Sequence, residues 1–262
     1  MGLDVLRYIY HSRKGRTYTV TRSVKYRYVC AVILIAVLFL YQEYVSCIGW
    51  KIARLVDYSA IDRDGTFLPV SVHHIVMGLI SLGILHILHK RWNLDFKLKA
   101  KVDKTGIRCT VDYCAAMLLY YIIWYVVIGF LLDAIAEYNY ELNAVNVLGT
   151  LSFQLLLSGT AEELIFRGLP IICLQTVMGR SSKYANGTIL IVSSMLFTIA
   201  HMNFSIPFSG QWYSLLYVFV SGMLYGIVYM KSNSIIYPMI MHGVSNFLSV
   251  GGCYLYMVLS YT

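Results

Sequence analysis

Charged residues are scarce in this chain. Only 13% of its 262 residues are Asp, Glu, Lys or Arg, and 58% are apolar, whereas a soluble domain has roughly 25% charged residues. This composition excludes a disordered chain, a nucleic-acid-binding arm and an ordinary cytosolic globule. It indicates a polytopic membrane protein.

Several common signatures of hydrolases and metal sites are also missing. The six cysteines form no C-x-x-C pair, and the chain contains neither H-E-x-x-H nor G-x-S-x-G. These absences argue against a disulfide framework, a zincin and a serine nucleophile elbow. We also expect neither a cleaved signal peptide nor a C-terminal prenylation box, because the basic N-terminal region is long and the last residues printed are Ser-Tyr-Thr.

Seven apolar stretches are each long enough to suggest a membrane span. Because an open strand cannot satisfy its backbone in lipid, the expected fold is an all-α membrane bundle of about seven helices. The stretches are Tyr28–Trp50, Phe67–His89, Tyr113–Ile135, Val145–Leu174, Thr188–Phe204, Gln211–Met230 and Ile235–Leu259. The fourth stretch exceeds a simple span, and its Gly159 and Pro170 predict a kink or tilt.

The distribution of Lys and Arg predicts the orientation. Seventeen of the 21 basic residues lie in the N-terminal tail or in the connections that follow the even-numbered stretches, and the opposite side has three basic and six acidic residues. By the positive-inside rule the N-terminus is cytoplasmic. We predict a basic tail (1–27), a three-helix region (28–135) and a catalytic four-helix core (145–259). The basic segments, which bring the net charge to +8, are expected to contact anionic lipids rather than nucleic acid.

The fourth stretch contains an unusual group of ionisable residues, Glu162, Glu163 and Arg167. Each ionisable group inside a span costs about 2.5–3.5 kcal/mol, so its presence needs a reason. Glu163 and Arg167 are four residues apart on one helix face and can form an ion pair. Glu162 is then the carboxylate left free for chemistry, as a general base.

Two further polar groups follow in later stretches. His201 lies in the fifth, and His242 and Asn246 share one face of the seventh. His242 and Asn246 can form an oxyanion clamp, and His201 can hold a water molecule or share the proton transfer. A lone Glu–Arg pair is often only a packing contact between helices. Polar groups in three separate stretches weaken that interpretation, because each one costs free energy in the membrane.

Together the motifs E-E-x-x-x-R, F-x-x-x-H and H-x-x-x-N resemble the CPBP (Abi) family of CAAX proteases and bacteriocin-processing membrane proteins. The resemblance covers roughly 145–259. It implies an intramembrane glutamic endopeptidase in which the first Glu activates water with help from the first His. The second His and the Asn then stabilise the oxyanion. The matching residues are Glu162, Glu163, Arg167, Phe197, His201, His242 and Asn246.

Several alternatives remain open. A metal-free site is favoured, although Glu with two His is also an acceptable zinc ligand set. The substrate is expected to be a peptide or a membrane-tethered protein, reached through a cavity that opens to the cytoplasm or to lipid. A bacterial cell membrane is favoured over the endoplasmic reticulum. The chain can instead be a non-proteolytic partner of a sensor kinase, a bacteriocin-immunity protein or a small-solute transporter. His73, His74, His86 and His89 in the second stretch are expected to form an interfacial, partly solvated face.

Overall fold

A computed structural model describes residues 24–99, 102–179 and 183–260. Most of the predicted basic tail, together with Lys101 and Arg180, lies outside these ranges. In the part of the chain that is described, seven long helices follow one another and no strand is present. They are α1 (Val24–Ala53), α2 (Leu68–Trp92), α3 (Lys104–Leu131), α4 (Ala144–Met178), α5 (Lys183–Ala200), α6 (Trp212–Ser232) and α7 (Ile236–Ser260).

The helices confirm the all-α membrane bundle. Five of them, α1 to α4 and α6, are long and apolar enough to cross a membrane, and α5 is a shorter apolar helix. Helix α7 has 25 residues but is not among the five, since polar and small residues interrupt its apolar sequence. The protein is therefore an integral multi-pass membrane protein, and its predicted orientation stays a prediction.

Several helix boundaries differ by a few residues from the sequence-based ones, and two of them, the start of α3 and the end of α5, illustrate the causes. Helix α3 begins at Lys104 rather than near Tyr113, because the Asp103 side chain accepts a hydrogen bond from the Gly106 amide at 2.7 Å and caps the helix. Helix α5 ends at Ala200 rather than near Phe204. The loop that follows is held by Gln211, whose Nε2 donates to two loop carbonyl groups and whose Oε1 accepts from the Asn203 amide.

Helix α4 is irregular on both sides of its acidic pair. A π-helical turn at Gln154–Ser158 precedes the α-helical turn Gly159–Glu163, and a second π-turn at Leu164–Gly168 follows it. Each π-turn fits an extra residue into the helix and changes the direction in which neighbouring side chains point; such turns are frequent at functional sites. The irregularity expected from Gly159 and Pro170 thus takes the form of two π-turns that flank the acidic residues.

Helices α4 and α7 pack closely because glycines lie at their contact. A Cβ atom added to Gly243 would collide with the Leu155 carbonyl oxygen, and one added to Gly159 would lie 2.9 Å from the Cβ of His242. Without side chains at these two positions the backbones can approach. The close contact brings the polar residues of α7 against the acidic turn of α4.

The start of α2 is fixed by a buried carboxylate in the α1–α2 loop. Asp62 is 2% exposed and accepts hydrogen bonds from the amides of Thr66, Phe67 and Leu68 and from the Thr66 hydroxyl. Burial raises the pKa of this carboxyl, but the hydrogen bonds outweigh burial, and the net effect is a lowered pKa. Asp62 thus anchors the first turn of the helix that carries His74.

Candidate active site

Three histidines surround the Glu162 carboxylate: His74 on α2, His242 on α7 and His201 directly after the end of α5. His74 Nε2 lies 3.1 Å from Oε1, whereas His201 Nε2 and His242 Nε2 lie 3.8 Å and 3.7 Å from Oε2. Glu162 Oε2 makes no direct hydrogen bond to any described residue. The side chain is 12% exposed, so this carboxylate is nearly buried but still reaches the surface of a cavity.

The second carboxylate has a different environment. Glu163 and Arg167 are both fully buried, and Arg167 Nε lies 3.4 Å from Glu163 Oε2. This is the i,i+4 ion pair predicted from the spacing. The other oxygen, Oε1, lies 3.0 Å from His242 Nδ1. The Glu163 carboxylate therefore interacts with an arginine and a histidine, and Glu163 is not among the residues that line the cavity.

The aromatic residue of the F-x-x-x-H motif has a clear structural place. The Arg167 guanidinium lies over the Phe197 ring, with Cζ 4.6 Å from the ring centroid. The same ring makes edge contacts with His201 at 4.5 Å and with His242 at 5.5 Å between centroids. Phe197 thus covers the buried cation and positions both imidazole rings, and this role accounts for an aromatic residue four positions before His201.

The structure brings five of the six predicted site residues into direct contact with one another and places the sixth beside them. Asn246 Nδ2 donates to Ser158 Oγ at 2.9 Å, and both residues line the same cavity as Glu162 and His201. His242 connects the two carboxylates, because its two ring nitrogens face Glu163 and Glu162. The grouping of these residues agrees with the prediction, and their individual roles stay predictions.

The depth of His201 at first conflicts with that of His242. By helix rise, Glu162 lies about 24 Å from the Met178 end of α4, and His201 about 27 Å from the Lys183 end of α5. His242 is only about 9 Å from the start of α7. The three residues could therefore not meet if α5 and α7 began at the same depth in the membrane. Helix α7 begins deeper in the bundle, because the Ile235 side chain that precedes it packs beside Gly168. The helices therefore do not start in one plane, which resolves the conflict.

His74 is a site residue that sequence reasoning missed. The helix-two histidines were expected to form a partly solvated interfacial face, and this expectation is wrong for two of them. His73 and His74 are 5% and 8% exposed, and His73 stacks on Trp50 while His74 contacts Glu162. Only His86 and His89 are exposed. The available signal was a pair of adjacent histidines far from any basic residue in an apolar helix.

A cavity of about 340 Å³ leads to the Glu162 carboxylate, a size typical of small ligand sites. It extends from the site toward the Leu68 end of α2 and the Ala144 end of α4. The charge distribution assigns those ends to the outside, so the expectation of a cytoplasmic opening is inconsistent with the predicted orientation. The cavity is lined by Val70, His74, Phe153, Gln154, Ser158, Glu162, His201, Asn246, Ser249 and Val250.

The described residues contain no group of three or more His, Cys, Asp or Glu side chains placed to hold a metal ion. That the site works without a metal ion stays a prediction.

A buried carboxylate with imidazoles beside it, at the end of a cavity inside a bundle of membrane helices, can act as a general base. Residues 144–248, about two fifths of the chain, match the family model of type II CAAX prenyl endopeptidases, described as Rce1-like. This match confirms the family resemblance, and membrane endopeptidase is the general activity that it supports. The searches of curated proteins and of solved structures found no match.

Proposed function

We propose that this protein is an intramembrane endopeptidase that hydrolyses peptide bonds with water activated by Glu162. One observation carries the proposal. Glu162 Oε2 lies at the cavity, 3.8 Å from His201 Nε2 and 3.7 Å from His242 Nε2. These distances exceed direct hydrogen bonds, and a single water molecule can hydrogen-bond to all three atoms.

The chemistry follows from this arrangement. Glu162 accepts a proton from the water molecule, and the resulting hydroxide attacks the carbonyl carbon of the scissile bond. The negative charge moves to the carbonyl oxygen of the tetrahedral intermediate. Glu162 then gives its proton to the leaving nitrogen, the C–N bond breaks and an acid and an amine are released. His201, next to the same carboxylate oxygen, holds the water or shares the proton transfer.

The oxyanion is proposed to bind to His242 and Asn246. The Glu163 carboxylate favours the His242 tautomer that carries a proton on Nδ1, so Nε2 can donate only when the ring is protonated. Asn246 uses one amide N–H to bond Ser158 and has a second N–H for the substrate. Glu163 and Arg167 are positioning residues, since they reach the reacting atoms only through His242.

His74 is proposed to hold the Glu162 carboxylate in place. Its Nδ1 lies 2.9 Å from the Val70 carbonyl oxygen, which acts as the acceptor when the proton is on Nδ1. Nε2, which faces Glu162 Oε1, then needs a second proton to donate to the carboxylate. A protonated His74 satisfies both acceptors, orients Glu162 and leaves Oε2 directed toward the water.

The remaining parts of the proposal concern cofactor, partners and membrane. We propose a metal-free reaction and a peptide or membrane-protein substrate. We also propose that anionic lipids contact the basic loops at the end of the bundle opposite the cavity. A bacterial cell membrane is the proposed location. Prenylated substrates belong to the matched family's description and are not assigned to this chain.

Comparative peptidomics of membranes tests the proposal. Membranes that contain the wild-type protein are compared with membranes that contain Glu162→Gln. Glu43→Gln is the matched control, because Glu43 is an exposed carboxylate of α1. We expect a set of cleavage products that wild type and Glu43→Gln share and that Glu162→Gln lacks. Full biological activity of a well-expressed Glu162→Gln protein would support the non-proteolytic partner instead.

A further inference from the structure

The described residues that line the cavity lie toward one end of the bundle. On α4 the lining residues Phe153, Gln154 and Ser158 all precede Glu162. On α7 the lining residues Ser249 and Val250 follow Asn246. Because α4 and α7 run in opposite directions, both sets lie toward the same end.

The third lining helix agrees with this direction. On α2, Val70 precedes His74 and so lies toward the Leu68 end. His201 is the first residue after α5, and the following loop at 203–210 is exposed throughout. The starts of α2 and α4, the end of α5 and the end of α7 thus surround the opening.

The other end of the site is closed by packing. Every residue of α4 from Glu163 to Ile172 is buried. Leu164, Phe166 and Ile171 belong to the main apolar core, together with residues of α1, α2 and α5. Ile235 closes the space beside Gly168 at the start of α7. Among the described residues, this packing separates the Glu162 carboxylate from the Met178 end of α4.

The loops at the two ends differ in charge. The closed end is flanked by the end of α2, the α2–α3 loop, the start of α3 and the end of α6. These segments carry Lys90, Arg91, Lys97, Lys99, Lys104 and Lys231 against Asp95 and Asp103. The loops at the open end carry Asp57, Asp62, Asp64, Asp133, Glu137 and Glu141 against Lys51, Arg54 and Arg63. By the positive-inside rule the closed end is cytoplasmic and the open end is on the other side.

We propose that the site takes its substrate from the non-cytoplasmic side of the membrane. The substrate class is an extended peptide segment at that surface, either part of an exported peptide or the outer flanking segment of a membrane protein. A protein C-terminus displayed in the cytoplasm cannot reach the carboxylate along this cavity. The choice of substrate rests on the proposed function, whereas the side of the opening does not.

Site-resolved thiol labelling tests the side of the opening. Val250→Cys places a thiol in the cavity, Asp57→Cys one in the exposed α1–α2 loop and Lys99→Cys one in the exposed α2–α3 loop. Intact cells and inverted membrane vesicles are treated with a membrane-impermeant maleimide. Peptide mass spectrometry reads each introduced thiol separately from the six native cysteines. Ser249→Cys is a second cavity position in case Val250→Cys is poorly produced.

We expect the cavity thiol and the Asp57→Cys thiol to be labelled in intact cells, and the Lys99→Cys thiol only in inverted vesicles. Labelling of the cavity thiol only from the Lys99 side, or from neither side, would overturn the proposal. Labelling of Lys99→Cys in intact cells would overturn it as well. The labelling needs no catalysis and can be repeated in Glu162→Gln, so a failed peptidase activity would leave this result interpretable.

Discussion

His74 Nε2 lies 3.1 Å from Glu162 Oε1, and this contact connects helix α2 to the acidic turn of α4. The two residues are 88 positions apart in the chain. The contact extends the candidate site beyond the segment 144–248 that matches the family model. Part of the three-helix region that carries no family motif also contributes to it.

The contact predicts a partial loss of activity in His74→Gln. A hydrogen bond to a charged group is worth about 1.5–3 kcal/mol, so we expect the cleavage rate to fall about 10-fold to 100-fold. His86→Gln, an exposed histidine of the same helix, is the matched control and should keep wild-type activity.

The pH profile of kcat separates positioning from folding in this variant. If protonated His74 orients the Glu162 carboxylate, the acidic limb of the profile shifts in His74→Gln. A purely structural defect instead lowers the rate at every pH alike. An unchanged rate and profile in His74→Gln would contradict the proposed role.

The buried ion pair predicts a large stability effect in Arg167→Met. The change leaves the Glu163 charge without its cation in a fully buried position, and breaking such a pair costs about 3–5 kcal/mol. We expect a lower melting temperature in detergent. The double variant Glu163→Gln with Arg167→Met should recover part of the stability but not the activity, because His242 then loses the Glu163 carboxylate. Equal stability of the single and double variants would contradict this account.

The close contact of α4 and α7 predicts that Gly243→Ala is damaging. The added Cβ would meet the Leu155 carbonyl oxygen, so the helices must separate and His242 moves away from Glu163. Gly251→Ala on the same helix is the control, since its Cβ would lie 3.5 Å from a leucine methyl group, an ordinary contact. We expect loss of activity and a lower melting temperature in Gly243→Ala alone. Similar behaviour of the two variants would show that the contact is not tight.

The Asp62 carboxylate predicts a pH dependence of stability. Its pKa is lowered in the folded protein, so its contribution is fully present above the unfolded pKa and is lost as the pH falls through the folded pKa. Asp62→Asn should lower stability near neutral pH by about 0.5–2 kcal/mol, as expected for a lost helix cap. The difference from wild type should shrink in acid. Asp112→Asn, an exposed carboxylate, is the control, and a difference that is constant with pH would contradict the assignment.

The sequence was sufficient to predict the membrane bundle and to single out six candidate site residues, because their signals are local. Apolar runs predicted seven helices, and an i,i+4 spacing predicted the Glu163–Arg167 pair that the structure contains. The contact of His74 was not accessible in this way, since it depends on how α2 packs against α4. The π-turns around Glu162 and the depth of α7 also arise from packing between helices.

The proposed side of the cavity opening depends on both the structure and the sequence. Burial of Glu163–Ile172 in the structure defines the closed end, whereas the distribution of Lys and Arg in the sequence defines which side that end faces. The proposed side of substrate entry rests on both observations together.

The cleavage rate of purified Glu162→Gln is the most direct test of the central claim. The substrate is a peptide identified by the peptidomic comparison, and the rate is compared with those of wild type and Glu43→Gln in the same detergent. Because a general base contributes about 10²-fold to 10⁴-fold, we expect a loss of that size in Glu162→Gln at an unchanged melting temperature, with Glu43→Gln unaffected. A rate within a few-fold of wild type in folded Glu162→Gln would contradict a glutamate-dependent peptidase.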